Sequence, residues 1–164
     1  MQFSTSIEYA VHSLIYMAAG RPSTSGRASR SRRLAAGGQP GPFLVGDIAR
    51  AIGAPESYLR KVLQQLARGG LLGSHRGVRG GFSLAREARL ISLRDVVEAV
   101  DGSLPSWCCV KEKRRCAEAP CPVSSAFEQA RLRMAESLEQ TTIGSLARSV
   151  ARRADGWLAV TRCS

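Results

Sequence analysis

Two short amphipathic runs broken by Gly53-Ala54-Pro55 leave this chain few ways to fold. In the first, Val45, Ile48, Ala49 and Ile52 recur at helical spacing and make one apolar face over about Gly46 to Ile52. Gly53 permits a left-handed turn, and Pro55 disfavours a helical conformation at Ala54. The second run starts near Glu56, and its stripe is Leu59, Val62, Leu63 and Leu66. Arg60, Lys61, Gln64, Gln65 and Arg68 lie off that stripe, and Gly69-Gly70 ends the run. Two short helices joined by a tight Gly-containing turn are the pattern of a helix-turn-helix.

Leu71 to His75 and Phe82 to Ala85 follow as short, partly alternating strands. Between them stands Arg76-Gly77-Val78-Arg79-Gly80-Gly81, poor core material but a good hairpin tip. Arg76 and Arg79 on such a tip can enter a minor groove while glycine lets the backbone approach phosphate. The span 44–86 holds seven Lys/Arg and two Asp/Glu. The plain alternative is a helical hairpin and a β-hairpin with a solvated basic face. The pair and the wing together favour DNA.

The whole chain carries a net charge of +11, and both halves are basic, which favours a polyanionic partner without locating its face. At 164 residues it is one domain, or one with appendages. No apolar run approaches the ~20 residues of a membrane span. No Lys or Arg precedes an apolar stretch at the N-terminus, so we expect no signal peptide and a reducing cytoplasm. There, five cysteines serve as ligands or sensors rather than as disulfides. His12 and His75 are the only histidines, and no nucleophile–base pair, P-loop or dinucleotide fingerprint accompanies them, so an enzyme is not expected.

Four flanking stretches complete the chain. Thr5-Ser6-Ile7-Glu8 reads as a capping box for a helix to about Ala19, with Ile7, Ala10, Val11, Leu14 and Ala18 inward. Glu8 and His12 project side by side, four residues apart. Read alone, Glu8 is the cap and His12 a polar surface residue or its helical partner. Residues 21–42 hold five arginines and no acid among Ser, Gly, Pro and Ala. That composition reads as a flexible insertion, either a basic arm on phosphates or a tolerated loop. A helix begins at Ser92-Leu93 and ends at Asp101-Gly102. A long one resumes at Val123 with Phe127, Ala130, Met134 and Leu138 on one side, and another starts after Thr141-Thr142.

Between those helices, residues 103–122 carry Cys108, Cys109, Cys116 and Cys121. The spacing Cys109-x6-Cys116-x4-Cys121 lacks the paired knuckles of structural zinc. Irregularly spaced thiolates suit an iron–sulfur cluster, and loop thiols without metal are the plain alternative.

The chain resembles the Rrf2 family of bacterial regulators, in particular its IscR/NsrR-like iron–sulfur members. The resemblance runs from the N-terminus to about Val150, interrupted by the 21–42 insertion. It is carried by Tyr9-Ala10-Val11, Asp47-Ile48-Ala49, Ser57-Tyr58-Leu59, Gly70-Leu71-Leu72, Arg76-Gly77 through Gly80-Gly81-Phe82, Val96 to Asp101, the cysteine loop and Thr142-Ile143. It implies a mainly α fold with a small β-hairpin wing and a long dimerisation helix. The divisions are a DNA-binding unit over 1–102, a cluster-binding loop over 103–122, dimerisation helices over 123–154 and a tail over 155–164. The resemblance also implies a homodimer on a pseudo-palindromic DNA operator, with neither membrane nor small-molecule substrate.

Some members pair a Glu and a His four apart with two loop cysteines around a two-iron, two-sulfur cluster shared by both subunits. Glu8 and His12 match that pattern, with Cys116 and Cys121 the better-matched thiols. Cys109 is a third ligand, a spare, or the mark of a four-iron cluster. Cys108, the loop spacings and the basic insertion depart from the family pattern. The implied recognition residues are Ser57, Tyr58, Arg60 and Lys61, with Arg76 and Arg79 on the wing. The expected function is a regulator, in the first instance a repressor, switched by the cluster. The alternatives are a cluster-free regulator switched by thiol oxidation or a protein partner, and a metal-binding redox protein without a DNA role.

Overall fold

The computed structural model describes residues 4–20, 42–77, 80–104 and 121–152. In chain order these form α1 (Thr5–Ala18), α2 (Val45–Ile52), α3 (Glu56–Arg68), β1 (Leu72–His75), β2 (Gly81–Leu84), a 3-10 turn (Ala88–Leu90), α4 (Leu93–Asp101), α5 (Pro122–Gln140) and α6 (Ile143–Arg152). The mainly helical fold with one hairpin is the expected one. Among the described residues, no helix is long and apolar enough to cross a membrane.

The helix-turn-helix forms for the reasons its sequence implies. Val45, Ile48, Ala49 and Ile52 are all buried, as are Leu59, Val62, Leu63 and Leu66. Gly53 closes α2 at φ 68, in the left-handed region where a Cβ is penalised. The hairpin pairs Leu72 with Leu84 and His75 with Gly81. Its third partner lies far back in sequence: Phe43 N–H donates to Phe82 O at 2.8 Å, and Phe82 N–H donates to Phe43 O at 2.9 Å. A Cβ on Gly81 would overlap the Phe43 carbonyl, so this close approach requires glycine. The Phe43 ring packs edge-on against Tyr16, which ties the wing to α1.

Helix α1 is the hub, packed against α2, α3, α4, α6 and β2. Its buried set is Ile7, Ala10, Ser13, Leu14, Ile15, Tyr16 and Met17, wider than the stripe read from the sequence. Buried Ser13 is satisfied within the helix, its hydroxyl donating to Tyr9 O at 2.7 Å. The expected Thr5–Glu8 capping box does not form. Ser4 is the N-cap, and its hydroxyl oxygen accepts from Ile7 N–H at 3.4 Å. The same hydroxyl donates to the Asp101 carboxylate at 2.9 Å, so a contact with the end of α4 starts the helix one residue early. Glu8 is thereby left exposed at the end of the first turn without a capping role.

The other start signals hold. Ser92 and Asp95 make a reciprocal capping box on α4. Thr142 and Ser145 exchange backbone-to-hydroxyl bonds at the start of α6, each 3.2 Å long. Helix α6, grouped by its position in sequence with the dimerisation helices, packs on α1, with Ile143 and Ala147 in the main core. A second, smaller core joins Ile7, Val97, Leu104 and Ala135, so α5 leans on α4 and on the first turn of α1.

The α4 box yields a prediction. Burial raises the Asp95 pKa, but bonds from the Ser92 N–H and hydroxyl, with the Arg86 guanidinium alongside, outweigh it and leave the carboxyl below its ordinary value. A depressed folded pKa stabilises above the unfolded value of about 3.9 and fades as pH falls through the folded value. Asp95→Ala is therefore expected to cost about 1 kcal/mol near neutral pH, the usual scale of a cap. That deficit should shrink in acid, read by urea titrations of both proteins at pH 7 and pH 3.

Candidate nucleic-acid interface and metal-ligand face

Helix α3 turns its apolar stripe inward and so sets its polar residues outward. Ser57, Arg60, Lys61, Gln64 and Arg68 are exposed. Arg60 is paired with Glu56 one turn earlier, N to O 2.7 Å, with both side chains about half exposed. Such a pair adds little stability and leaves the guanidinium able to exchange a carboxylate for a phosphate. Tyr58 differs from its neighbours. Its hydroxyl is hydrogen bonded to the Ser6 hydroxyl at 2.6 Å, and its ring meets Tyr9 edge-on at a centroid distance of 5.8 Å. An open groove of about 390 Å³ runs beside this contact, lined by Ser6, Tyr58, Lys61, Gln64, Gln65 and Arg68.

On the wing, Arg76 is exposed just past β1. His75 Nε2 and the Ser83 hydroxyl are 2.8 Å apart across the strand pair, which engages the second histidine locally. Arg86 reaches back from the base of the wing to Asp95 at 2.9 Å. Arg79 lies outside the described residues, as does nearly all of the 21–42 insertion.

The second face centres on α1. Glu8 is exposed and His12 half-buried, one turn apart on the same side. Burial lowers the His12 pKa, and the nearby Glu8 carboxylate raises it less, so the ring is held toward its neutral form. A neutral imidazole offers the lone pair that a metal needs. Cys121, half-buried, is the N-cap of α5, where the helix dipole favours a thiolate. Carboxylate, imidazole and thiolate are a donor set that iron accepts, so these residues fit a cluster. Among the described residues no three candidate ligands converge. Cys108, Cys109 and Cys116 lie outside them.

Sequence reasoning gave Ser6 no role beyond its place inside the expected Thr5–Glu8 capping box. It also missed the role of Phe43, whose strand partner Phe82 lies beyond the helix-turn-helix and β1.

Comparison with known proteins gives one answer for the family. The chain matches Rrf2, described as an iron-dependent transcriptional regulator, over residues 3–149. A protein of Aquifex aeolicus named as an HTH-type transcriptional regulator is 30% identical over 149 residues, covering 89% of this chain and 91% of its own. The solved T. potens IscR superposes with a TM-score of 0.63 at 25% identity, over 98% of this chain and 97% of its own. CymR, described as the global cysteine regulator of B. subtilis, superposes with a TM-score of 0.66 at 24% identity, over 91% and 98%.

Proposed function

Because the chain belongs to the Rrf2 family of transcriptional regulators, with a winged helix-turn-helix as its DNA-binding unit and no enzymatic role, we propose that it is a homodimeric repressor whose operator binding depends on an iron–sulfur cluster. The observation that carries the reading is the Glu8–His12 pair one turn apart on α1, with burial lowering the imidazole pKa and the carboxylate without a capping role. Glu8, His12, Cys116 and Cys121 are the proposed ligands of a two-iron, two-sulfur cluster. Cys109 is the further ligand that a four-iron cluster would take. When bound, such a cluster supplies one-electron chemistry and reactivity toward oxidants or nitric oxide.

The protein's own residues do the rest. Ser57, Arg60 and Lys61 on α3 offer hydroxyl and cationic groups to the major groove and its phosphates, and the Tyr58 ring adds an apolar edge. Arg76 and Arg79 serve the wing, and the insertion arginines add non-specific phosphate contacts. Val123, Phe127 and Leu132 are large apolar residues exposed along α5, which supports a second copy of the chain packing there. A two-fold dimer reads half-sites about one turn apart, ~34 Å. DNA as partner sets the place of action in the cytoplasm.

The test is an anaerobic preparation: visible absorbance, iron and sulfide counts, then gel shifts with genomic fragments before and after cluster removal. A protein that binds DNA but holds neither iron nor sulfide would instead be a thiol- or partner-switched regulator. The similarity to the cysteine regulator CymR keeps that second reading in view.

The wing gives its own prediction. Arg76→Ala is expected to weaken binding to all duplexes alike and to reduce the salt slope by about one if it touches phosphate. Arg79→Ala is expected to lower operator affinity selectively, by ~1–3 kcal/mol, if it reads a base edge. Unchanged affinity and slope in both variants would take the wing out of the interface.

A further inference from the structure

Helix α1 bears the proposed ligands Glu8 and His12, and helix α3 bears the recognition residues. A short polar contact joins the two helices. Ser6 lies two residues before Glu8, and Tyr58 lies on the first turn of α3. Their hydroxyls are 2.6 Å apart, while the Tyr58 ring rests edge-on against Tyr9, the residue after Glu8. Both neighbours of Tyr58 thus flank the same turn of α1.

The tight turn from α2 also holds this end of α3, the Ala54 N–H donating to Ala49 O at 3.0 Å. Its N-cap is Pro55, which makes no side-chain capping bond. Its buried stripe, from Leu59 to Leu66, begins at the residue after Tyr58. The Tyr58 contact with α1 is a side-chain anchor for the turn that carries Ser57 and leads into Arg60 and Lys61. A tyrosine that only read bases would keep its hydroxyl toward the groove. Here the hydroxyl is directed back at α1.

We propose that the Ser6–Tyr58 hydrogen bond is a positioning contact: it sets the first turn of the recognition helix for specific DNA binding and transmits displacement of the Glu8-bearing turn of α1 to that helix. The positioning half rests on geometry alone. The transmitting half rests on the cluster reading above. Ser6 thereby becomes a determinant of operator binding without belonging to the DNA-facing surface read from the sequence.

The experiment uses the full-length protein and three variants: Ser6→Ala, Tyr58→Phe and the double variant. Tyr58→Phe keeps the ring and its packing on Tyr9 and removes only the hydroxyl. Each protein is titrated with its operator duplex and with a scrambled duplex, in cluster-loaded and cluster-free form. Melting temperature is followed alongside. In cluster-free protein, each single variant is expected to lose about threefold to tenfold in operator affinity, the scale of one net hydrogen bond. The double variant should lose no more than either single one, because both remove the same bond. Scrambled-duplex binding and melting temperature should hold. In loaded protein, the affinity ratio between the two cluster states should move toward one in all three variants.

Loss in Tyr58→Phe with none in Ser6→Ala would mean that the hydroxyl reads DNA, and would overturn the proposal. Equal losses on both duplexes, tracking a lower melting temperature, would overturn it in favour of plain structural support. Wild-type protein without iron and sulfide would instead sink the cluster reading, and the cluster-free titrations would still decide the positioning role.

Discussion

Mixing two defective chains is expected to restore a cluster that neither can hold alone. One chain carries Glu8→Ala with His12→Ala, the other Cys116→Ala with Cys121→Ala. Each homodimer lacks half of every site, and the heterodimer can assemble one complete site. The physical basis is the separation of donor types. Glu8 and His12 occupy a face of α1, whereas Cys121 opens α5, the helix on which Val123, Phe127 and Leu132 are exposed. Ligands drawn from two chains would tie cluster state to dimer geometry. That gives the two-state bias of ~1–3 kcal/mol that regulation at a distance requires. The cysteine chain alone should be colourless, because thiolates are the obligatory sulfur donors. The Glu8/His12 chain alone should also lose the cluster, since each of its sites lacks both α1 donors. If chain exchange is confirmed and no visible absorbance returns, cross-subunit assembly is wrong. A full cluster in the Glu8/His12 chain would point to Cys108 or Cys109 and an all-cysteine site.

The largest effect on stability is expected at Leu14. It is fully buried on the hub helix, in the core cluster that also contains residues of α2, α3, the wing and α6. Leu14→Ala removes apolar contacts there and leaves a cavity that several elements would have to close together. The loss is about 2–5 kcal/mol, a large share of a small domain's stability. For a chain of this size that corresponds to ~5–15 °C in melting temperature. Both thermal melting and the urea midpoint should report it. Leu132→Ala is the contrast, because Leu132 is 53% exposed within the chain. It should leave melting of the isolated chain nearly unchanged and weaken self-association, read by sedimentation at falling concentration. A Leu14→Ala melting curve that overlays wild type would show that α1 is not the hub of the core.

Among the site residues, what was legible in the sequence follows from local rules. Glu8 and His12 share a face because residues four apart on any helix do. Ser57, Arg60 and Lys61 face outward because the stripe from Leu59 to Leu66 must face inward. Contacts between distant residues were not legible. Ser6 and Tyr58 are 52 positions apart, and no periodicity couples them.

The sequence by itself determined α2, the turn and α3. Their apolar spacing is helical, Gly53 supplies a left-handed residue, and Pro55 bars the helix from running on. It also determined the α4 capping box, which needs only Ser92 and Asp95. Tertiary structure decided where a choice existed. Thr5 could cap α1 as well as Ser4 by local chemistry, and Asp101, reached from the far end of α4, selects Ser4. Phe43 has no hairpin of its own, and only the finished wing offers it Phe82. Helix α6 could have followed α5 outward, but backbone bonds from Ile143 to Ile91 and from Leu93 to Thr141 hold its start against the start of α4. In each case a local rule allows more than one partner. The partner used is the one that folding brings within hydrogen-bonding distance, because a buried backbone group left without one is costly.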